Sequence, residues 1–183
     1  KELKLIRGKK IACIFQEAMA ALNPVLSIRK QLEEAKLKED SSERILELMR
    51  FAGFSDPERV LNSYPHELSG GMLQRICIVM ALLPRPSLLI ADEPTTALDV
   101  TVQAQVMELL KKLSKEFGTA VLLITHNMGL VAQYASRVAV MYAGRICESG
   151  ATHDIFANPC HCYTKAFLRT IPSFIPGKRN PLL

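Results

Sequence analysis

Tryptophan is absent from this 183-residue sequence, and aromatic residues make up only 6% of it. That scarcity bears on the formal net charge of +5, which would otherwise suggest a nucleic-acid partner. A nucleic-acid surface wants a basic stripe with interleaved aromatic stacking platforms. Here Lys and Arg are scattered, apart from short groups at Arg7–Lys10 and Lys178–Arg179. The pattern reads as a solvated surface, and no nucleic-acid partner is expected. Long apolar runs are also missing. Hydrophobic residues make up 49% of the chain but never extend over the ~20 positions that span a bilayer as a helix. The longest runs, Ile76–Leu83 and Ala120–Ile124, have helix or strand length and are expected to be buried. No secretory signal is read at Lys1–Lys10, which is basic but has no apolar stretch after it. The first residue is Lys rather than Met, and we expect the sequence to begin partway through a domain.

Cysteine is present in an odd number, at Cys13, Cys77, Cys147, Cys160 and Cys162. Without a secretory signal, that count argues against a disulfide framework and for a reducing compartment. Cys13 and Cys77 stand in apolar runs and are expected to be small core residues. Cys160-His161-Cys162 offers soft metal ligands. It lacks the second ligand pair of a structural zinc site, so metal binding is not expected there.

Periodicity then sketches the elements. Ile11–Phe15 reads as a buried strand with Gln16 at its end, and Leu22-Asn23-Pro24 breaks the chain. Helix-favouring residues run from Ser27 to about Glu39. Ser41 can cap a helix through Phe51 that Gly53 ends. Asp56-Pro57 starts a third helix, which Tyr64-Pro65 stops. Ser69-Gly70-Gly71 opens a longer helix with Met72, Ile76, Val79, Met80 and Leu83 on one face, stopped by Pro84 and Pro86. Leu88–Ala91 is a strand that ends in Asp92-Glu93. Asp99 or Thr101 can cap the next helix, whose stripe is Val102, Val106, Leu109, Leu110, Leu113 and Phe117, with Gly118 as its stop. Ala120–Ile124 is a strand ending in Thr125-His126. A helix through Tyr134, a hairpin of Arg137–Tyr142 and Ile146–Ser149 about Ala143-Gly144, and helices at Thr152–Phe156 and Tyr163–Leu168 follow. Pro172, Pro176 and Pro181 mark an extended end.

Short all-apolar strands alternating with helices predict an α/β fold with a parallel sheet covered on both faces. Chemistry in such sheets collects beyond the carboxyl ends of the strands. Gln16, Asp92, Glu93 and His126 each follow a predicted strand. Asp92 suits Mg²⁺, and Glu93 suits orienting or deprotonating a water. The plainer reading is that Asp92 caps a turn before Pro94. Gly70 and Gly71 would let a backbone approach a phosphate, and the helix N-terminus behind Ser69 carries unpaired N–H groups. The plainer reading there is an ordinary Ser cap. Asp99 reads equally as a helix cap. The Gln16 amide suits a metal-bound or attacking water, and the His126 imidazole could donate to a terminal phosphate.

Taken in order, Phe15-Gln16, Ser69-Gly70-Gly71 with Gln74-Arg75, Asp92-Glu93-Pro94-Thr95, Ala97-Leu98-Asp99 and His126 resemble the motif set of ABC-transporter ATPases. In that family these are the Q-loop, signature motif, Walker B strand, D-loop and switch histidine. Phe15–Met19 with Leu22-Asn23-Pro24, Glu93–Gln103, and Asn158-Pro159 with His161, Tyr163 and Thr164 resemble the oligopeptide, dipeptide and nickel importers. The resemblance implies a P-loop NTPase-like (ABC ATPase) fold whose parallel sheet core carries an inserted helical subdomain and is incomplete at the N-terminus. The division it implies is 1–22 and 69–150 for the core, 23–68 for the helical subdomain and 151–183 for an importer-type tail. It implies ATP and Mg²⁺ as ligands. Gln16 and Asp92 would hold the metal, Glu93 would polarise water, His126 would clamp the γ-phosphate, and Asp99 would line the nucleotide. Ser69, Gly70 and Gly71 would touch ATP held mainly by a second ATPase subunit. Membrane permease subunits, and a solute-binding protein indirectly, are the other implied partners, at the cytoplasmic face of the inner membrane.

Three departures stand out. No G-x-x-x-x-G-K-[ST] phosphate loop occurs, and Gly8-Lys9-Lys10 is only a superficial echo. Truncation at the N-terminus is the simplest expectation, with the chain alone inactive or nearly so. Leu73 stands where the subfamily has a basic residue, and Cys162 where it has proline. A non-catalytic partner that donates its signature motif to a complete ATPase is the second reading. A soluble ABC ATPase of DNA repair or translation is a third, disfavoured by the importer-type tail.

Overall fold

A computed structural model describes residues 6–96 and 98–170. The proline-marked end, Lys178–Arg179 and the D-loop residue Ala97 lie outside the described residues. The chain divides into two compact units between Ile124 and Thr125.

In the first unit, β1 (Ile11–Ile14), β2 (Leu88–Asp92) and β3 (Ala120–Ile124) form a parallel sheet in that order. Ile14 stands beside Ala91, and Asp92 beside Ile124. A one-turn helix α1 (Ala18–Ala21), not foreseen in the sequence, leads away from β1. The lobe α2 (Ile28–Ala35), α3 (Ser42–Phe51) and α4 (Pro57–Asn62) follows, then a 3₁₀ turn at Pro65–Glu67. Ser27 caps α2 through the Lys30 N–H, and Asp56 caps α4 through the Arg59 N–H. The lobe closes over Ile28, Leu32, Ile45, Met49 and Leu61, all essentially inaccessible to solvent. Buried Gln31 fixes the predicted Asn23-Pro24 turn. Its amide donates to the Asn23 and Leu26 carbonyls and accepts from the Asn23 N–H.

The long helices α5 (Gly70–Leu82) and α6 (Val100–Phe117) supply the core. α5 packs on β1, α1, α6 and the lobe, so it is buried nearly all round instead of along the one predicted stripe. Leu73, Ile78 and Leu82 are buried, whereas Met72 and Met80 are half-buried. Leu73 sits where the subfamily resemblance expects a basic side chain, and it is part of the core. Gly118 ends α6 in the left-handed conformation (φ 63°), as its position predicts.

Two expectations fail at the sheet. Ala12, Ile14, Leu89 and Ala91 point to the buried face. Ile11, Cys13 and Leu122 share the opposite face by register, and all are exposed, Leu122 by 51%. Among the described residues, then, the sheet is covered on one face only, and β3 is mostly exposed instead of buried. Strand apolarity tells what a face is fit to bury; it does not supply the covering layer. Cys13 is exposed for the same reason, although Cys77 is a core residue as expected.

In the second unit, α7 (Met128–Tyr134) precedes a hairpin of β4 (Arg137–Tyr142) and β5 (Arg145–Ala151). Ala143 and Gly144 both adopt positive φ, 48° and 77°, the two-residue turn that matches strand twist. α8 (Thr152–Ala157) packs on the hairpin and α7, and α9 (Cys162–Arg169) follows. The Glu148 carboxylate accepts from the backbone N–H groups of Cys160 (2.7 Å) and His161 (3.0 Å), tying the α8–α9 link to β5. Among the described residues no helix is long and apolar enough to cross a membrane, and no group of three or more metal-ligating side chains assembles.

Candidate functional site

The sheet register brings three of the predicted residues to one edge. Asp92 is the last residue of β2, Glu93 follows it, and Gln16 lies two residues past the end of neighbouring β1. Gln16 is exposed, and both carboxylates are half-exposed. The charge of Asp92 is felt locally: partial desolvation of the thiol first, and Asp92 second, push Cys13 above its ordinary pKa.

Glu93 leaves the strand with φ 48°, a left-handed conformation that is uncommon outside glycine. Its N–H donates to the Ile124 carbonyl at 2.9 Å, which anchors the turn to β3. Pro94 and Thr95 are buried beneath it. The chain then folds back, with the Thr96 N–H on the Glu93 carbonyl (3.2 Å) and the Thr96 hydroxyl donating to Glu93 Oε2 (2.9 Å). Thr96 is a contact of Glu93 that the sequence reading did not single out. The available signal was its spacing, a hydroxyl three residues after a carboxylate at a strand tip.

Ser69 is the N-cap of α5 and accepts from the Met72 N–H at 3.4 Å. Packing requires only the second of the two glycines. A Cβ at Gly71 would stand 2.5 Å from Val102 Cγ1, whereas one at Gly70 would make an ordinary contact, 3.7 Å from Leu98 Cδ2. Gly71 thus lets α6 cross α5 closely, where the sequence reading invoked only close approach to a phosphate. Asp99, rather than Thr101, caps α6, accepting from the Val102 N–H at 2.9 Å. The cap and the glycine contact converge on one residue, so the D-loop segment and the signature turn are a single packed structure. Arg75 lies over the Phe54 ring (4.9 Å), and its Nε donates to the Gly71 carbonyl at 3.3 Å, joining the signature turn to the lobe.

His126 belongs to the second unit and is exposed. It stands in a turn set by the Thr125 hydroxyl accepting from the Asn127 N–H (3.1 Å), just before Asn127 caps α7.

Known proteins are similar to this chain. The chain is 47% identical, over its full length, to the probable peptide ABC transporter ATP-binding protein y4tR of Sinorhizobium fredii, and covers 56% of it. It is 49% identical over 94% of its length to the oligopeptide transport ATP-binding protein OppD of Bacillus subtilis, covering 50% of that protein. For the dipeptide transport ATP-binding protein DppD of the same organism the figures are 51%, 94% and 53%. The chain therefore spans about half the length of these relatives. Among solved structures it resembles the ATP-binding cassette MJ0796, in a dimeric post-hydrolysis state bound to ADP and Pi. The TM-score is 0.69 at 32% identity, over 82% of this chain and 66% of that one. It also resembles cbiO1 of Clostridium perfringens, part of the ABC transporter complex cbiONQ, with a TM-score of 0.71 at 30% identity, over 82% and 60%. The sequence profile described as ABC transporter matches residues 2–96, which hold β1, the helical lobe, the signature helix and the Asp92-Glu93 strand tip. With more than half of its residues inside that match, this chain belongs to the ABC transporter family.

Proposed function

We propose that this chain is part of the ATP-hydrolysing subunit of an ABC importer for peptides. The observation that carries the reading is the strand-tip group: Asp92 and Glu93 at the carboxyl end of β2, with Gln16 past the neighbouring strand. The importer assignment is supported by the names of the relatives, which are peptide, oligopeptide and dipeptide transport ATP-binding proteins.

Glu93 takes a proton from water. The water oxygen bonds to the terminal phosphorus as the bond from that phosphorus to the bridging oxygen breaks, leaving ADP and phosphate. The Asp92 carboxylate and the Gln16 amide oxygen are hard oxygen donors that fit Mg²⁺, which when bound supplies neutralisation of phosphate charge. For His126, the family resemblance is what supports a hydrogen bond to a terminal phosphate. Ser69, Gly70 and Gly71, at the exposed N-terminus of α5, serve ATP held by a second ATPase subunit, and Asp99 holds the turn beside them. The lobe at residues 23–65 contacts permease subunits at the cytoplasmic face of the inner membrane, and a solute-binding protein acts indirectly.

The test is ATP turnover by the natural protein containing this chain, reconstituted with its permease. Glu93→Gln should cut turnover by roughly 10²–10⁴-fold. Turnover unaffected by that substitution would refute the reading. The 183-residue chain alone, which contains no phosphate loop, should stay at background.

A further inference from the structure

We infer that Arg75 is a positioning residue for the signature turn of Ser69, Gly70 and Gly71, which it ties to the end of α3 in the helical lobe. The inference rests on the reading of that turn as serving ATP and adds a residue outside it.

The first turn of α5 is weakly determined by its own sequence. Gly70 and Gly71 open it, and glycine loses the most freedom on ordering. Its cap is long, with the Ser69 hydroxyl 3.4 Å from the Met72 nitrogen. Val102 walls the turn on one side, at Gly71. Arg75 supplies a second hold. A helical side chain leans toward the N-terminus of its helix, and Arg75 Nε donates to the Gly71 carbonyl one turn back, at 3.3 Å. The same guanidinium lies over the Phe54 ring, with Cζ 4.9 Å from the ring centroid. Phe54 is buried, and its N–H donates to the Met49 carbonyl at 3.1 Å, which fixes it just past α3. Arg75 itself is half-buried, and that burial lowers its pKa. Desolvating a cation is costly, and an apolar side chain would fill the same space without that cost. What arginine adds is a planar fork that stacks on a ring and donates from Nε at the same time. A displacement at the end of α3 is therefore carried through Phe54 and Arg75 to the carbonyl of Gly71.

The test uses the natural protein containing this chain, assembled with its permease. Arg75→Lys keeps the charge and loses the planar fork, and Phe54→Leu keeps apolar bulk and loses the ring. Each should lower kcat for ATP about tenfold or more. The double variant should lose no more than the worse single variant, because both break one link. Hydrogen exchange read by mass spectrometry should quicken in each variant in the peptide holding residues 69–72 and stay unchanged in β2. Wild-type kcat and exchange in Arg75→Lys, or single losses that multiply in the double variant, would overturn the positioning role. So would exchange that quickens equally in β2, which marks general destabilisation. If Phe54→Leu does not fold, Arg75→Lys decides alone, and unchanged exchange at residues 69–72 overturns the role. Gly70→Asp tests the underlying reading separately. A Cβ there meets only an ordinary contact, 3.7 Å from Leu98 Cδ2, while the new carboxylate repels a phosphate. An inactive Gly70→Asp protein beside an unaffected Arg75→Lys protein removes the positioning role and leaves the ATP reading intact; an active Gly70→Asp protein removes both.

Discussion

At the scale of single residues, Gly71 shows how a motif residue can have two reasons to exist. The sequence makes a glycine legible at a helix start and suggests room for a phosphate. It does not reveal that Val102, thirty-one positions on, fills the place of the missing side chain, because that contact needs the crossing of α5 and α6. Gly71→Ala forces a Cβ to 2.5 Å from Val102 Cγ1. Such overpacking should destabilise the protein by about 1–3 kcal/mol. Adding Val102→Ala removes the offending methyl and should restore most of that loss, which denaturant midpoints of the two variants will show. A clash-free Gly71→Ala would leave the phosphate as the only reason for the glycine. Cys77 was legible as a core residue, and burial pushes its thiol up to about 12. Cys13 was misread because its strand neighbours are apolar on a face that is open among the described residues.

Elements were legible wherever capping chemistry marks them. Ser27, Asp56, Ser69 and Asp99 all cap the helices they precede, and Gly118 ends α6. Helix α1 was not, since Ala18–Ala21 is a single turn without a side-chain cap. The link between α8 and α9 depends on Glu148, a residue with no motif to announce it. Its carboxyl is held below the ordinary 4.5, first by the Cys160 N–H and also by the His161 N–H and charge. A group depressed in the folded state stabilises fully above its unfolded pKa and loses that contribution as pH falls through the folded value. Wild type should therefore exceed Glu148→Gln in stability at neutral pH, and the gap should close below about pH 4.5. Melts followed by circular dichroism from pH 7 to 3 will check it; a gap independent of pH would mean that the charge of Glu148 plays no part.

For the molecule as a whole, the alternation of strands and helices made the parallel sheet legible, and the motif order made the family legible. What the pattern could not show is which faces are covered. Ile11 (36% exposed), Leu122 (51%) and Ile124 (45%) make one apolar side of the sheet open among the described residues. Open apolar surface of this kind marks a contact site or an aggregation liability. The isolated 183-residue chain should bind a hydrophobic dye and self-associate, and Ile11→Lys with Leu122→Lys should reduce both. Dye binding and light scattering measure the two effects, and an unchanged double variant would place the sticky surface elsewhere.

The strand order has a further reach. β2 has a neighbour on each side, while β3 is joined to β2 alone among the described residues. A parallel strand aims alternate amides to opposite sides. Along β3, every second amide should trade its hydrogen for deuterium at nearly the rate of unstructured peptide, while the amides of β2 wait for global opening. Exchange read residue by residue would then appear as a two-step rhythm in β3 and as uniform silence in β2.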